Sequence, residues 1–150
     1  MTYREAGIHD VEALVRCRVA MQAELDGNTR DLAPLAVALR AYFSETLASG
    51  EFFAYVAESE GEIVATSGMV VDRHPPSGGN IGGRIAYIMN MFTVPAFRRQ
   101  GIASEVLSRL LARARALELK RAVLHGFPQG RGIYEKAGFV ACDSEMRLEM

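Results

Sequence analysis

Cysteine is scarce in this chain, and the two present, Cys17 and Cys142, are too far apart to match a metal-ligand or redox spacing. Reduced thiols in a cytoplasmic protein are therefore the expectation, with no metal site. No apolar run approaches about 18 residues, so no membrane-spanning helix is expected. The opening residues, MTYREAGIHD, lack the apolar core of a signal peptide, which again points to the cytoplasm. Excess positive charge is missing too. A formal net charge of -1 argues against a nucleic-acid partner held by bulk attraction. The glycine-rich stretch 74–83, HPPSGGNIGG, contains no G-x-G-x-x-G and joins no strand to a helix. There is no G-K-[ST] either, so neither a dinucleotide fold nor a P-loop is supported. Repeats, low-complexity segments and linkers are absent. With 150 residues, 49% of them hydrophobic and 23% charged, the chain reads as one soluble domain over 1–150 with a real core.

What is present centres on 85–117, IAYIMNMFTVPAFRRQGIASEVLSRLLARARAL. Its first part, 85–94, is uncharged, rich in β-branched and aromatic residues, and bounded by Gly83 and Pro95. That is a buried strand. After the turn Phe97-Arg98-Arg99-Gln100-Gly101, apolar residues recur at Ile102, Val106, Leu107, Leu110, Leu111, Ala114 and Leu117, one face of a helix. Two arginines at a helix start sit at the wrong end of the macrodipole. They are either solvated loop charges or the rim of an anion site, with Gly101 allowing close backbone approach.

Arg98-x-x-Gly101-x-Ala103, placed between a strand and a helix, resembles the Q/R-x-x-G-x-G/A motif of the GNAT superfamily of acetyl-CoA-dependent N-acetyltransferases. Downstream, Ile133-Tyr134-Glu135-Lys136-Ala137-Gly138-Phe139 resembles that family's L-Y-E-K-x-G-F segment. The resemblance in element order covers nearly the whole chain. It implies the order βααβββαβαββ, with a mixed, mostly antiparallel central sheet flanked by helices in an α/β (α+β) fold.

The remaining elements fit that order. A strand over 2–6 precedes a helix for which Asp10 is a candidate N-cap. Its core stripe holds Val11, Leu14, Val15 and Ala20 or Met21, with Arg18 on the same stripe. Arg18 either snorkels at the stripe's edge or lines a substrate cleft. A second helix is expected over 34–48. A hairpin follows, with strands over 52–57 and 63–71 around Ser59-Glu60-Gly61-Glu62. The 74–83 stretch is either a loop near the acceptor site or a long hairpin connection. A strand over 121–125, a turn at Phe127-Pro128-Gln129-Gly130, a helix over 131–137 and strands over 139–142 and 145–148 complete the chain. The last strand alternates Met146, Leu148 and Met150 with charged residues.

The resemblance implies an enzyme that moves acetyl from acetyl-CoA to a primary amine of a small molecule or peptide, by direct attack in a ternary complex. It implies that the backbone of Met91, Phe92 and Thr93 pairs with the pantetheine arm between splayed strands. The loop Arg98, Arg99, Gln100, Gly101, Ile102, Ala103 and Ser104 would then grip the pyrophosphate. Tyr134 matches the family's proton donor to the leaving thiolate. The central strand carries no glutamate to act as base. Asn90 there either orients water or the amine or satisfies a β-bulge, and His125 is a candidate proton acceptor. The alternative is a non-catalytic acetyl-CoA sensor or an interaction module on the same fold. A homodimer is compatible with either reading. No acidic cluster points to a polyamine, and the acceptor stays open.

Overall fold

Strict alternation drives the centre of the molecule. Phe52, Ala54 and Val56 turn to one face of their strand, and Phe53, Tyr55 and Ala57 turn to the other. The computed structural model describes residues 1–142 and 144–150. In it, β1 (Thr2–Glu5) is followed by α1 (Val11–Asp26) and α2 (Ala33–Ser49). Then come β2 (Phe52–Ser59), β3 (Glu62–Arg73), β4 (Arg84–Thr93), α3 (Ile102–Ala116), β5 (Ala122–Val123) and α4 (Arg131–Lys136). The five strands form one sheet in the order β1-β2-β3-β4-β5. All neighbours are antiparallel except β4 and β5, which are parallel.

Each face of the sheet buries its own helices. On one side, Leu14, Val15 and Cys17 of α1 and Leu39 and Phe43 of α2 pack on Phe52, Ala54, Val56 and Phe92. On the other, α3 sets Leu107, Leu110, Leu111 and Ala114 against Met69, Ala86 and Ile88, and α4 adds Ile133 and Tyr134. Phe43 and Phe52 are each only 1% exposed, with ring centroids 5.1 Å apart. Removing either ring would cost about 3–5 kcal/mol.

Asp10 has a different job from the expected one. It stands before α1 but makes no side-chain cap to that helix. Its carboxylate instead accepts from the Gly7 N–H at 2.8 Å and from both terminal nitrogens of Arg4, which also binds Glu58 at 2.9 Å. One buried carboxylate thereby ties β1, the turn before α1 and, through Arg4, β2. The 74–83 stretch is a hairpin connection, because β3 and β4 stay paired down to Arg73 and Arg84.

Two expectations fail at the C-terminal side. β5 is confined to Ala122–Val123 rather than running over 121–125. Among the described residues, no strand forms over 139–142 or 145–148, and Asp143 lies outside those residues. Met146 and Leu148 are 96% and 81% exposed. Alternation says which face a strand would bury, not whether an edge is offered to it. β5 offers two residues of edge.

Candidate active site

The site begins with a defect in β4. Thr66 pairs with Phe92 and Gly68 with Met89, so Ser67 faces an extra residue on β4. The extra residue is Asn90, held at φ +56. Its carbonyl accepts from the Thr66 hydroxyl at 2.7 Å. The bulge swaps the facing of β4. Met89 before it and Phe92 after it both pack toward α1 and α2, whereas Ile88 and Met91 pack toward α3. Gly68 makes room opposite: a Cβ there would stand 2.5 Å from the Phe52 ring and 3.3 Å from the Asn90 Cβ. The Asn90 side chain does not satisfy the bulge. It is buried, and neither its Nδ2 nor its Oδ1 has a partner.

The same strand opens on its other edge. β4 pairs with β5 only through Ala86–Ala122 and Tyr87–Val123. From Ile88 to Thr93, no described strand covers that side. This is the splay that the resemblance implied. It leaves main-chain donors and acceptors free for an extended ligand.

At the end of β4 the chain turns into α3. Gly101 is the helix's N-cap at φ +80, and no side chain caps the first turn. Glu105 N–H is the first to find an intrahelical acceptor, Gly101 O at 3.1 Å. The amides before it point outward with the positive end of the dipole. A Cβ on Gly101 would meet nothing within 4 Å, so the space over the corner is open. These features fit a pyrophosphate.

The residues of the expected grip divide here. Arg98 is occupied: its Nε donates to Thr93 O at 2.8 Å, a terminal nitrogen binds Glu24 of α1 at 2.7 Å, and it stacks over Phe92. Glu24 also answers the macrodipole conflict at that position. Gln100 donates to Ala96 O. The Ile102 side chain is buried, so only its amide can face a ligand. Arg99, at φ +62, and Ser104 are exposed. Ser104 also lines a groove of about 280 Å³ between α3 and α4, with Arg115 and Lys136 on its walls. Of the strand residues, Phe92 turns its ring into the core and its main chain, opposite Thr66, toward β3.

Tyr134 of α4 lies under Phe139 in an edge-to-face contact, ring centroids 6.0 Å apart. Gly130 allows it in, since a Cβ there would stand 3.1 Å from the ring. Burial pushes the phenol above its ordinary value. His125 is engaged at both ring nitrogens, Nε2 with the Glu145 carboxylate and Nδ1 with the Tyr87 hydroxyl. Burial, followed by the Glu145 charge, raises the Tyr87 phenol.

On the α1/α2 face, a cavity of about 250 Å³ is lined by Arg18, Leu39, Tyr42, Phe43, Met89 and Asn90. Arg18 and Asn90 thus line one cleft. Tyr42, Tyr87 and Glu145 were not singled out from the sequence. Tyr42 stands in a helix whose apolar residues give no narrow stripe, and Glu145 reads as the outer face of a strand.

An open strand edge leading to an uncapped, glycine-started helix offers contacts to an extended ligand that ends in a pyrophosphate. The chain belongs to the Acetyltransferase (GNAT) family, whose model matches residues 20–139. Among similar solved structures is a predicted acetyltransferase from Clostridium acetobutylicum with acetyl-CoA. It is 31% identical, with a TM-score of 0.89, over 99% of this chain and 95% of that one. A GCN5-related N-acetyltransferase from Ralstonia eutropha is 29% identical, with a TM-score of 0.87, over 99% and 97% of the two chains. Glucosamine-6-phosphate N-acetyltransferase from Arabidopsis thaliana, 18% identical over 99% of each chain, shares the fold with a TM-score of 0.73. No curated protein matches the chain. Among the described residues, no helix is long and apolar enough to cross a membrane.

Proposed function

We propose that this protein transfers an acetyl group from acetyl-CoA to the primary amine of a small molecule or peptide, by direct attack of the amine in a ternary complex. The observation that carries the reading is the uncovered edge of β4 running into the uncapped start of α3. Acetyl-CoA supplies an activated acyl carbon and a thiolate leaving group.

The chain's own residues do the rest. Main-chain groups of Met91 and the Thr93 N–H align the pantetheine arm; the Thr93 carbonyl is already taken by Arg98, and the main chain of Phe92, opposite Thr66, faces β3. The N–H groups from Arg99 to Ser104 hold the pyrophosphate, while Arg98 fixes the turn. A β4 N–H at the open edge polarises the acyl carbonyl. Tyr134 gives its proton to the departing thiolate. A phenol raised by burial keeps that proton at neutral pH, and the same burial raises the thiolate's affinity for it. Asn90 orients the attacking amine. With no carboxylate on β4, the amine's proton leaves through water to the Tyr87–His125–Glu145 chain. The proposed domain is 1–150, acting in the cytoplasm, without nucleic acid, membrane or metal, and able to work as a homodimer.

The test is an amine panel with acetyl-CoA, read by the mass of the acetylated product. Thiol reagents would also count the exposed Cys142. Acetylation of at least one amine class is expected. Tight acetyl-CoA binding with no product from any amine would leave a sensor instead.

A further inference from the structure

The acceptor cavity carries one unmatched charge. Arg18 projects from α1 into it, is half-buried, and has no hydrogen-bond or ion-pair partner among the described residues. Other arginines of this face are paired, Arg16 with Glu62, Arg40 with Glu12 and Arg98 with Glu24. Desolvation lowers the pKa of Arg18, and the nearby Tyr42 and Tyr87 oppose that shift. A guanidinium stripped of water without an anion is costly, and it remains charged. No carboxylate lines the cavity. Glu51 and Asp72 act on Tyr42 from outside the lining, and Asp72 sits 3.6 Å from His74. Opposite Arg18 is the second anomaly, Asn90, 2% exposed with both side-chain polar atoms unpartnered. Each such atom costs about 1–3 kcal/mol unless a ligand satisfies it.

We infer that the acceptor is a small amine bearing its own carboxylate, with the carboxylate on Arg18 and the amino end beside Asn90. This rests on the acetyl-transfer reading and names its substrate class. Arg18 offers the planar fork that matches a carboxylate, and Tyr42 supplies a hydroxyl at the same end. One cation is neutralised by one negative charge; a phosphate would bring nearly two into a desolvated pocket. The volume of about 250 Å³, about eight waters' share of liquid, suits a free amino acid rather than a folded protein surface. The sign of the pocket opposes polyamines and aminoglycosides, which would set ammonium groups against Arg18. Asn90 accepts from the amino group through Oδ1, leaving the nitrogen lone pair toward the open edge of β4. There the C–N bond forms as the C–S bond breaks. The thiolate takes one proton and the amine loses one.

The experiment has two arms. In the first, CoA-loaded protein is titrated calorimetrically with the common α-amino acids, β-alanine and γ-aminobutyrate, each against its methyl ester. At least one acid should bind at least about tenfold tighter than its ester. Arg18→Gln should erase that preference and Arg18→Lys should restore it in part, with CoA affinity unchanged as the check on folding. Acid and ester binding alike, or no acid binding, overturns the inference. The second arm measures acetylated product from the same compounds. Acids that bind through Arg18 yet are never acetylated uphold the pocket and contradict the acyltransferase reading. Esters and acids acetylated with equal KM contradict the pocket and leave that reading intact.

Discussion

Tyr134 keeps its proton because burial raises it, so its proposed role as an acid has a clear signature. Replacing it by Phe preserves the packing on Phe139 and removes only the hydroxyl. Turnover should fall on the order of 10²-fold with acetyl-CoA affinity nearly unchanged. Unchanged turnover under conditions where chemistry limits the rate would remove Tyr134 from the mechanism. The direction of its pKa adds a second check: the alkaline loss of activity should lie above the ordinary phenol value near about 10. His125 is tested by substitution. If the Tyr87–His125–Glu145 chain receives the amine's proton, His125→Ala should lower turnover with acetyl-CoA affinity unchanged. Unchanged turnover where chemistry limits the rate would mean that bulk water does the work. Tyr134 was legible in the sequence through the segment around it. Asn90 was legible as an oddity, a lone amide in an apolar strand. Its two empty hydrogen-bonding atoms were not, since they depend on what β3 and α1 bring opposite it.

At the scale of elements, the proposed binding of acetyl-CoA centres on the corner between β4 and α3. Gly101 holds φ +80, which a β-branched residue adopts only under strain of about 1–3 kcal/mol, and its missing side chain leaves the space above the amides open. Gly101→Val should therefore weaken acetyl-CoA by at least about tenfold, about 1.4 kcal/mol, in a calorimetric titration. Gly101→Ala should sit between valine and wild type. Wild-type affinity in the valine variant would remove the corner from the site. This corner could be read from the sequence because strand, turn and helix signals are local. β5 could not, for a strand's length depends on how far its neighbour stays alongside, and β4 parts from it after Tyr87. The C-terminal alternation over 145–148 misled for the same reason. The dense apolar content of α2 hid Tyr42, because no narrow stripe marks which side meets the cleft.

For the whole molecule, the site depends on how firmly α1 and β1 are held to the sheet. Asp10 is the fastening, its carboxylate kept below the usual range first by the Arg4 hydrogen bonds and then by Gly7, against the burial that would raise it. A depressed carboxylate stabilises the fold above its unfolded value near about 4, and that contribution is lost as pH falls through the lower folded value. Asp10→Asn should thus cost about 1–3 kcal/mol at neutral pH in a denaturant titration, with the difference from wild type shrinking below about pH 4. A constant difference across that range would deny Asp10 its charged role.

Everything in the functional account depends on acetyl-CoA lying along the free edge of β4 and over the start of α3. Amide hydrogen exchange with and without acetyl-CoA reads that placement directly, since backbone groups are the proposed contacts. Protection should appear at Met91 and Thr93 and from Arg99 to Ser104, with little change in β2 or in the β1–Asp10 fastening. Binding that leaves both stretches exchanging as in the free protein would contradict the account.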